Sequence, residues 1–145
     1  MEILSHSPEE TKKLAGELIK NIKEGQTIAL YGDLGSGKTT FTRYLVEALG
    51  IKCRVQSPTF VLMRKYSDNG LNSRIKSINH IDLYRINSIE EVLDLGFREI
   101  IEEKDSISII EWPEIVENLL PDSTIRIYFY YSGENERRIK ILNLH

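Results

Sequence analysis

The eight residues Gly32-Asp33-Leu34-Gly35-Ser36-Gly37-Lys38-Thr39 constrain the fold of this chain more than any other stretch. They fit G-x-x-x-x-G-K-[ST], the loop that wraps phosphate groups. The pattern carries weight only between a strand and a helix, and both flanks fit. Thr27-Ile28-Ala29-Leu30-Tyr31 is a short, β-favouring apolar run. Residues 40–49 carry Phe41, Leu45 and Leu49 at helical spacing, and Gly50 follows as a stop. Each residue type has a chemical reason. Gly32, Gly35 and Gly37 let the backbone approach closely and turn its N–H groups onto phosphate oxygens. A helix starting near Lys38 adds the positive end of its dipole. Lys38 supplies a charge to the β- and γ-phosphates, and the Thr39 hydroxyl is placed to ligate Mg²⁺. Asp33, Ser36 and Thr40 complete the nucleotide-contacting stretch. The plainer reading, a glycine-rich turn with a chance lysine, must account for eight positions and two flanks at once.

A length of 145 residues predicts one domain over 1–145. Hydrophobic residues at 41% and charged residues at 28% allow one core sheet with helices on it. Net charge of -3 gives no global basic field toward nucleic acid or anionic lipid, so service to a nucleic acid pathway would run through a partner. The single cysteine, Cys53, excludes an internal disulfide and a cysteine-based metal site. No run approaches a membrane span and the N-terminus has no apolar signal core, so the expected location is the cytoplasm.

Residues 1–4 offer no structural signal. Ser7-Pro8-Glu9-Glu10 starts a helix, with Ser7 as N-cap, and Leu14, Leu18, Ile19 and Ile22 follow at helical spacing to Gly25. This helix packs on the sheet, or its first turn near Thr11 also closes over a nucleotide base. Ser57-Pro58-Thr59-Phe60 breaks regular structure after the P-loop helix. A Thr there, Thr59, is where nucleotide switches place a γ-phosphate sensor; a rigid turn into a strand is the other reading. Residues 59–66 and 75–82 read as a hairpin around Ser67-Asp68-Asn69-Gly70. Ser88-Ile89-Glu90-Glu91 opens a second capped helix that stops near Gly96, and 97–103 is a further helical piece. Trp112-Pro113-Glu114 opens another helix, and the strands 124–131 and Arg137–Leu142 close the chain as a hairpin. The predicted fold class is α/β: a three-layer P-loop NTPase fold, with a mostly parallel sheet flanked by helices and a C-terminal β-hairpin.

Two acids stand where open α/β sheets gather ligands, at the carboxyl ends of strands. Asp82 ends one predicted strand. Glu111 ends Ser106-Ile107-Ser108-Ile109-Ile110-Glu111, an apolar run with the shape of a Walker B strand. Glu111 is the stronger metal candidate, and an acid that merely ends a strand is the bland alternative. The spacing does not decide which acid touches Mg²⁺ first. His80 shares a face with Asp82 by strand alternation, and a lone strand histidine defaults to a structural role. Arg137, Arg138 and Lys140 default to a solvated face; one of them, Arg138 by preference, could instead approach a nucleotide.

The chain resembles the TsaE family, small ATPases of bacterial tRNA threonylcarbamoyladenosine synthesis. The resemblance rests on the P-loop with Thr40, on Ser57-Pro58-Thr59-Phe60, on His80-Ile81-Asp82-Leu83-Tyr84-Arg85 and on Ile110-Glu111-Trp112-Pro113-Glu114, in this order. The last two blocks separate this family from other P-loop proteins. The resemblance implies a cytoplasmic protein that binds ATP with Mg²⁺ and hydrolyses it slowly alone. It implies a TsaD–TsaB heterodimer as partner, tRNA reached indirectly through that complex, and hydrolysis that serves multiple turnover. By motif, Lys38 and the loop glycines hold phosphates, and Thr39 and Glu111 look like Mg²⁺ ligands. Thr59 sits in the switch-like segment, Asp82 looks like the residue that orients water, and Trp112 is similar to the family's aromatic at that place. Thr11 and Arg138 are carried over as base contacts.

The rivals to an ATP hydrolase are a small P-loop kinase acting on a metabolite and a non-hydrolysing, ATP-gated binding module. The kinase normally needs an arginine-bearing lid, and no inserted segment of that length stands between the predicted strands. Pure binding needs fewer acids than Asp82 and Glu111 supply. A GTPase would need an N-K-x-D string, which is absent from the sequence.

Overall fold

Largely apolar runs make strands that must be covered on both faces, and two such runs, residues 27–31 and 106–111, sit at the centre of the sheet. The structure is a computed structural model and describes residues 1–56, 62–67 and 75–144. Its strands are β1 (Glu2–Ser5), β2 (Thr27–Tyr31), β3 (Met63–Ser67), β4 (Ser77–Asp82), β5 (Ser106–Glu111), β6 (Ile125–Tyr131) and β7 (Arg137–Leu142). They form one mixed sheet in the order β1-β7-β6-β2-β5-β4-β3. The core strands β6, β2, β5 and β4 run parallel, and antiparallel pairs close both edges. Every residue of β4 and β5 is buried, as strands covered on two faces require.

Alternation along the strands sorts side chains to two layers. Ile28 and Leu30 of β2 join Ala15 and Leu18 of α1 (Pro8–Ile19) and Phe41 and Leu45 of α2 (Lys38–Ala48). Ala29 faces the other way, toward Val92 of α3 (Ile89–Asp94), Phe97 of α4 (Phe97–Ile101) and Val116 of a 3₁₀ helix, Pro113–Leu119. Full burial of a side chain such as Phe41 contributes about 1.5–3 kcal/mol. Ile78 and Ile107 join the α1–α2 layer, so His80, Asp82 and Glu111, further along β4 and β5 at the same parity, point to that layer too. The three-layer α/β fold and the C-terminal hairpin β6–β7 match the expectation from sequence.

Several local details extend or correct the expectations. Residues 1–4, which carry no signal in sequence, contribute to a strand: β1 pairs with β7, Ile3 opposite Ile139, and the Met1 ammonium donates to the Ile141 carbonyl at 3.0 Å. That strand exists through pairing, which four residues cannot signal by themselves. Helix α1 stops at Ile19, and Ile22 is buried from the following turn, so hydrophobic spacing outran the helix. The helix expected after Trp112 is present, in 3₁₀ form. Ser7 and Ser88 do cap α1 and α3, their hydroxyls accepting from Glu10 N at 3.2 Å and Glu91 N at 3.3 Å. Such caps contribute about 0.5–2 kcal/mol each. Thr59 with the Ser57-Pro58-Thr59-Phe60 break, and the Asp68-Asn69-Gly70 turn, lie outside the described residues.

Candidate functional site

The turn from β2 into α2 is built around Gly32. Its φ is +150°, and a Cβ there would meet Ser36 Oγ at 2.5 Å and the Phe129 carbonyl oxygen at 2.9 Å. No side chain fits, which is why the first glycine of the motif is needed. Gly37 is the N-cap of α2 with φ of +110°, left-handed backbone that sends the chain into the helix. The Ser36 hydroxyl is buried and is one of the side-chain oxygens without a hydrogen-bond partner among the described residues. A buried polar atom left so is costly unless a ligand meets it. Loop amides, a helix N-terminus and an orphaned hydroxyl together suit an anion.

Lys38 is 5% exposed. Its ammonium donates to the Gly32 carbonyl and lies 3.5 Å from the centre of the Trp112 ring. Burial pushes this lysine below its ordinary value, against the opposing pull of Glu111, Glu114, Asp82 and Asp33. Trp112 reaches its place by an unusual backbone: φ 57° and ψ 57°, the left-handed region, immediately before Pro113. Such a conformation costs on the order of 1–3 kcal/mol for a bulky residue and marks functional sites. The Tyr84 ring tilts against Trp112 at 4.9 Å.

Asp82 and Glu111 are direct partners across the parallel pair β4–β5, at the carboxyl ends of both strands. Both are buried. The Thr39 hydroxyl, at the head of α2, donates to Glu111 Oε1 at 3.0 Å and Oε2 at 3.2 Å. Asp82 Oδ1 accepts the Tyr84 N–H at 2.9 Å, a local turn that fixes its carboxylate. Lys38, Thr39, Asp82, Glu111 and Trp112 line one cavity of about 320 Å³ with the P-loop. Two carboxylates and a hydroxyl are hard oxygen donors, the set that suits Mg²⁺. Among the described residues no group of three or more His, Cys, Asp and Glu side chains forms a metal cluster by itself. A metal would therefore share its coordination with a ligand, as P-loop metals do.

The other expected contacts are distributed around this centre. Thr11 lines a neighbouring cavity of about 450 Å³ with Pro8, Gly37, Thr40, Tyr44 and Arg137. Its hydroxyl is bonded to Ser5 Oγ at 2.6 Å. Arg138 is half exposed, pairs with Glu2 at 3.5 Å, and reaches a different cavity that holds Asp33 and Gly35. Arg137, which the sequence reading left in the background, touches the P-loop itself: its Nε donates to the Ser36 carbonyl at 3.0 Å. Strand alternation held the signal, since Arg137 shares parity with the inward Ile139 and Ile141. Glu111 is part of the buried interior at the strand end, 2% exposed and bonded to buried His80.

Strand, glycine loop and helix in this geometry, with paired acids at the sheet's carboxyl edge, define an α/β protein of the P-loop type. The family model described as "Threonylcarbamoyl adenosine biosynthesis protein TsaE" matches residues 5–139. A TsaE from Bacillus subtilis is 38% identical over 133 residues, 92% of this chain and 79% of that protein. One from Treponema pallidum is 31% identical, covering 97% of this chain and 99% of that protein. The crystal structure of Bacillus subtilis YdiB superposes with a TM-score of 0.79 at 30% identity, covering 100% of this chain and 86% of that one. The chain belongs to the TsaE family of tRNA threonylcarbamoyladenosine biosynthesis. No helix among the described residues is long and apolar enough to cross a membrane.

Proposed function

We propose that this protein binds ATP with Mg²⁺ and hydrolyses it in support of tRNA N6-threonylcarbamoyladenosine synthesis, acting in the cytoplasm with a TsaD–TsaB pair. The observation that carries the reading is the Thr39–Glu111 hydrogen bond at the head of the P-loop helix, with Asp82 in register beside Glu111. It joins the phosphate loop to the acids at one buried point. Lys38, freed from the Gly32 carbonyl, meets the outer phosphates. The loop amides from Gly32 to Thr40 hold the rest, and the Ser36 hydroxyl, without a partner among the described residues, gains one. Thr39 and Glu111 would hold the metal, with Asp82 beside them. Bound Mg²⁺ would supply charge neutralisation on the transferring phosphoryl group. Asp82, fixed by the Tyr84 N–H, orients the attacking water and accepts its hydrogen bond at the carboxylate. Thr59 keeps its sequence-based role as γ-phosphate sensor. Thr11 and Arg137 flank the space for the nucleoside, and Arg138 lies further out. Trp112 holds Lys38 in reserve.

Phosphate release from ATP by the purified chain, alone and with TsaD–TsaB added, tests the proposal, with Lys38→Ala as the blank. Slow release that rises on adding the pair is expected. Release indifferent to the pair, or phosphate found on an added acceptor, would overturn the partner-dependent ATPase.

A further inference from the structure

His80 is fully buried in β4, and both its ring nitrogens are engaged. Nε2 contacts Glu111 Oε2, and Nδ1 lies 3.1 Å from the Tyr66 hydroxyl. Tyr66, on β3, also reaches the Gln56 backbone, 2.9 Å from its carbonyl oxygen and 3.4 Å from its nitrogen. A line of hydrogen bonds therefore runs from Thr39 through Glu111, His80 and Tyr66 to Gln56, crossing α2, β5, β4 and β3. Glu111 accepts from the Thr39 hydroxyl and serves as a carboxylate, so the proton of the Glu111–His80 contact sits on Nε2. The Tyr66 hydroxyl donates to the Gln56 carbonyl, accepts from the Gln56 N–H and meets His80 Nδ1.

We propose that His80 is a positioning residue for the metal site: its Nε2–H holds the Glu111 carboxylate in the orientation that meets Thr39 and the metal, and Tyr66 holds His80. The inference rests on the nucleotide and metal reading given above. A buried strand histidine whose partners were backbone carbonyls would be a packing feature. Here the partner is the carboxylate that Thr39 already marks. Carboxylates that ligate metals depend on such outer partners for their orientation, and removing one typically costs about 10–100-fold in metal affinity.

His80→Gln and His80→Asn separate positioning from packing. The Gln amide reaches toward the place of Nε2 and keeps a donor to Glu111. The Asn amide reaches only the place of Nδ1, toward Tyr66. The readout is the Kd of a fluorescent ATP analogue for the whole chain, measured with Mg²⁺ and with EDTA, beside a melting curve for each variant. The wild type and His80→Gln should both bind more tightly with Mg²⁺. His80→Asn should lose about 10-fold or more of that gain. All three should bind alike in EDTA. Equal Mg²⁺ gains in the Gln and Asn variants would overturn the inference while the site reading stands. No Mg²⁺ gain in the wild type would overturn both. If His80→Asn does not fold, Tyr66→Phe carries the test: a several-fold loss of the gain is expected, and an unchanged gain overturns the inference.

Discussion

The two ends of β2 open onto clefts of nearly equal size, about 320 Å³ beside the P-loop and about 300 Å³ at the opposite end near Gly25 and Gln26. Both are lined by charged residues, and the difference lies in where those charges sit. Lys23, Glu24 and Asp122 of the second cleft are exposed, whereas Lys38, Asp82 and Glu111 of the first are 5%, 3% and 2% exposed. Keeping an ion from water costs several kcal/mol unless partners compensate. At the P-loop end the compensation is incomplete: the Ser36 hydroxyl has no partner among the described residues, Trp112 is strained, and burial depresses Lys38. Cavity volume alone does not distinguish a candidate site from a surface hollow. Desolvated charge aimed into the cavity does.

The largest expected effect comes from taking away the buried cation. Lys38→Ala should lower ATP hydrolysis by about 100-fold or more, read as phosphate release, since a single electrostatic donor to a developing charge is worth that much. Near-normal turnover would erase the contrast between the two ends. Glu111 sharpens it, because its two roles separate. Glu111→Gln and Glu111→Ala should both abolish Mg²⁺-dependent turnover. Glu111→Ala should in addition lower unfolding stability by about 1–3 kcal/mol in urea titrations, through the unpaired His80 and Thr39 left behind. Trp112 is the single tryptophan, so its emission reports the Lys38 contact directly. ATP analogues should change that emission in the wild type and leave it unchanged in Lys38→Ala. The smallest effect belongs to the far end, at Glu103 near the start of β5. Partial burial raises this carboxyl, yet bonds from Lys65 at 3.0 Å and Asn79 at 3.3 Å outweigh it and hold the group below its ordinary value. A depressed carboxylate stabilises the fold above its unfolded pKa, and that stability is lost as pH falls through the folded value. Glu103→Gln should therefore cost less than about 1 kcal/mol near neutral pH and nothing in acid, where Glu103 is protonated, with ATP hydrolysis unchanged.

The two ends also differ in how far they could be read from sequence. The P-loop end was legible because its chemistry is local: the eight-residue motif, the run Ser106–Glu111 and the ends of β4 and β5 are each contiguous. What escaped was what only the fold brings together. The β1–β7 pairing joins residues 138 positions apart in the case of Glu2 and Lys140. The Trp112 ring sits over Lys38 because of a left-handed turn, and no residue type at 112 signals one. The sequence favoured Arg138 over Arg137 as a nucleotide contact, and only the pairing of β7 shows that Arg137 takes the opposite face and touches the P-loop. His80 looked like an isolated strand histidine because Tyr66 and Glu111 are distant in sequence and adjacent only in the sheet.

A crystal structure with ADP and Mn²⁺ in place of Mg²⁺ tests the central claim most directly, since anomalous scattering locates the metal. The account predicts one metal peak, about 2.0–2.2 Å from both the Thr39 hydroxyl and a phosphate oxygen, with Glu111 or Asp82 completing its shell. Lys38 should then be on the phosphates and off the Gly32 carbonyl. A nucleotide bound away from the P-loop, or a metal without Thr39 and both acids in its surroundings, would contradict it.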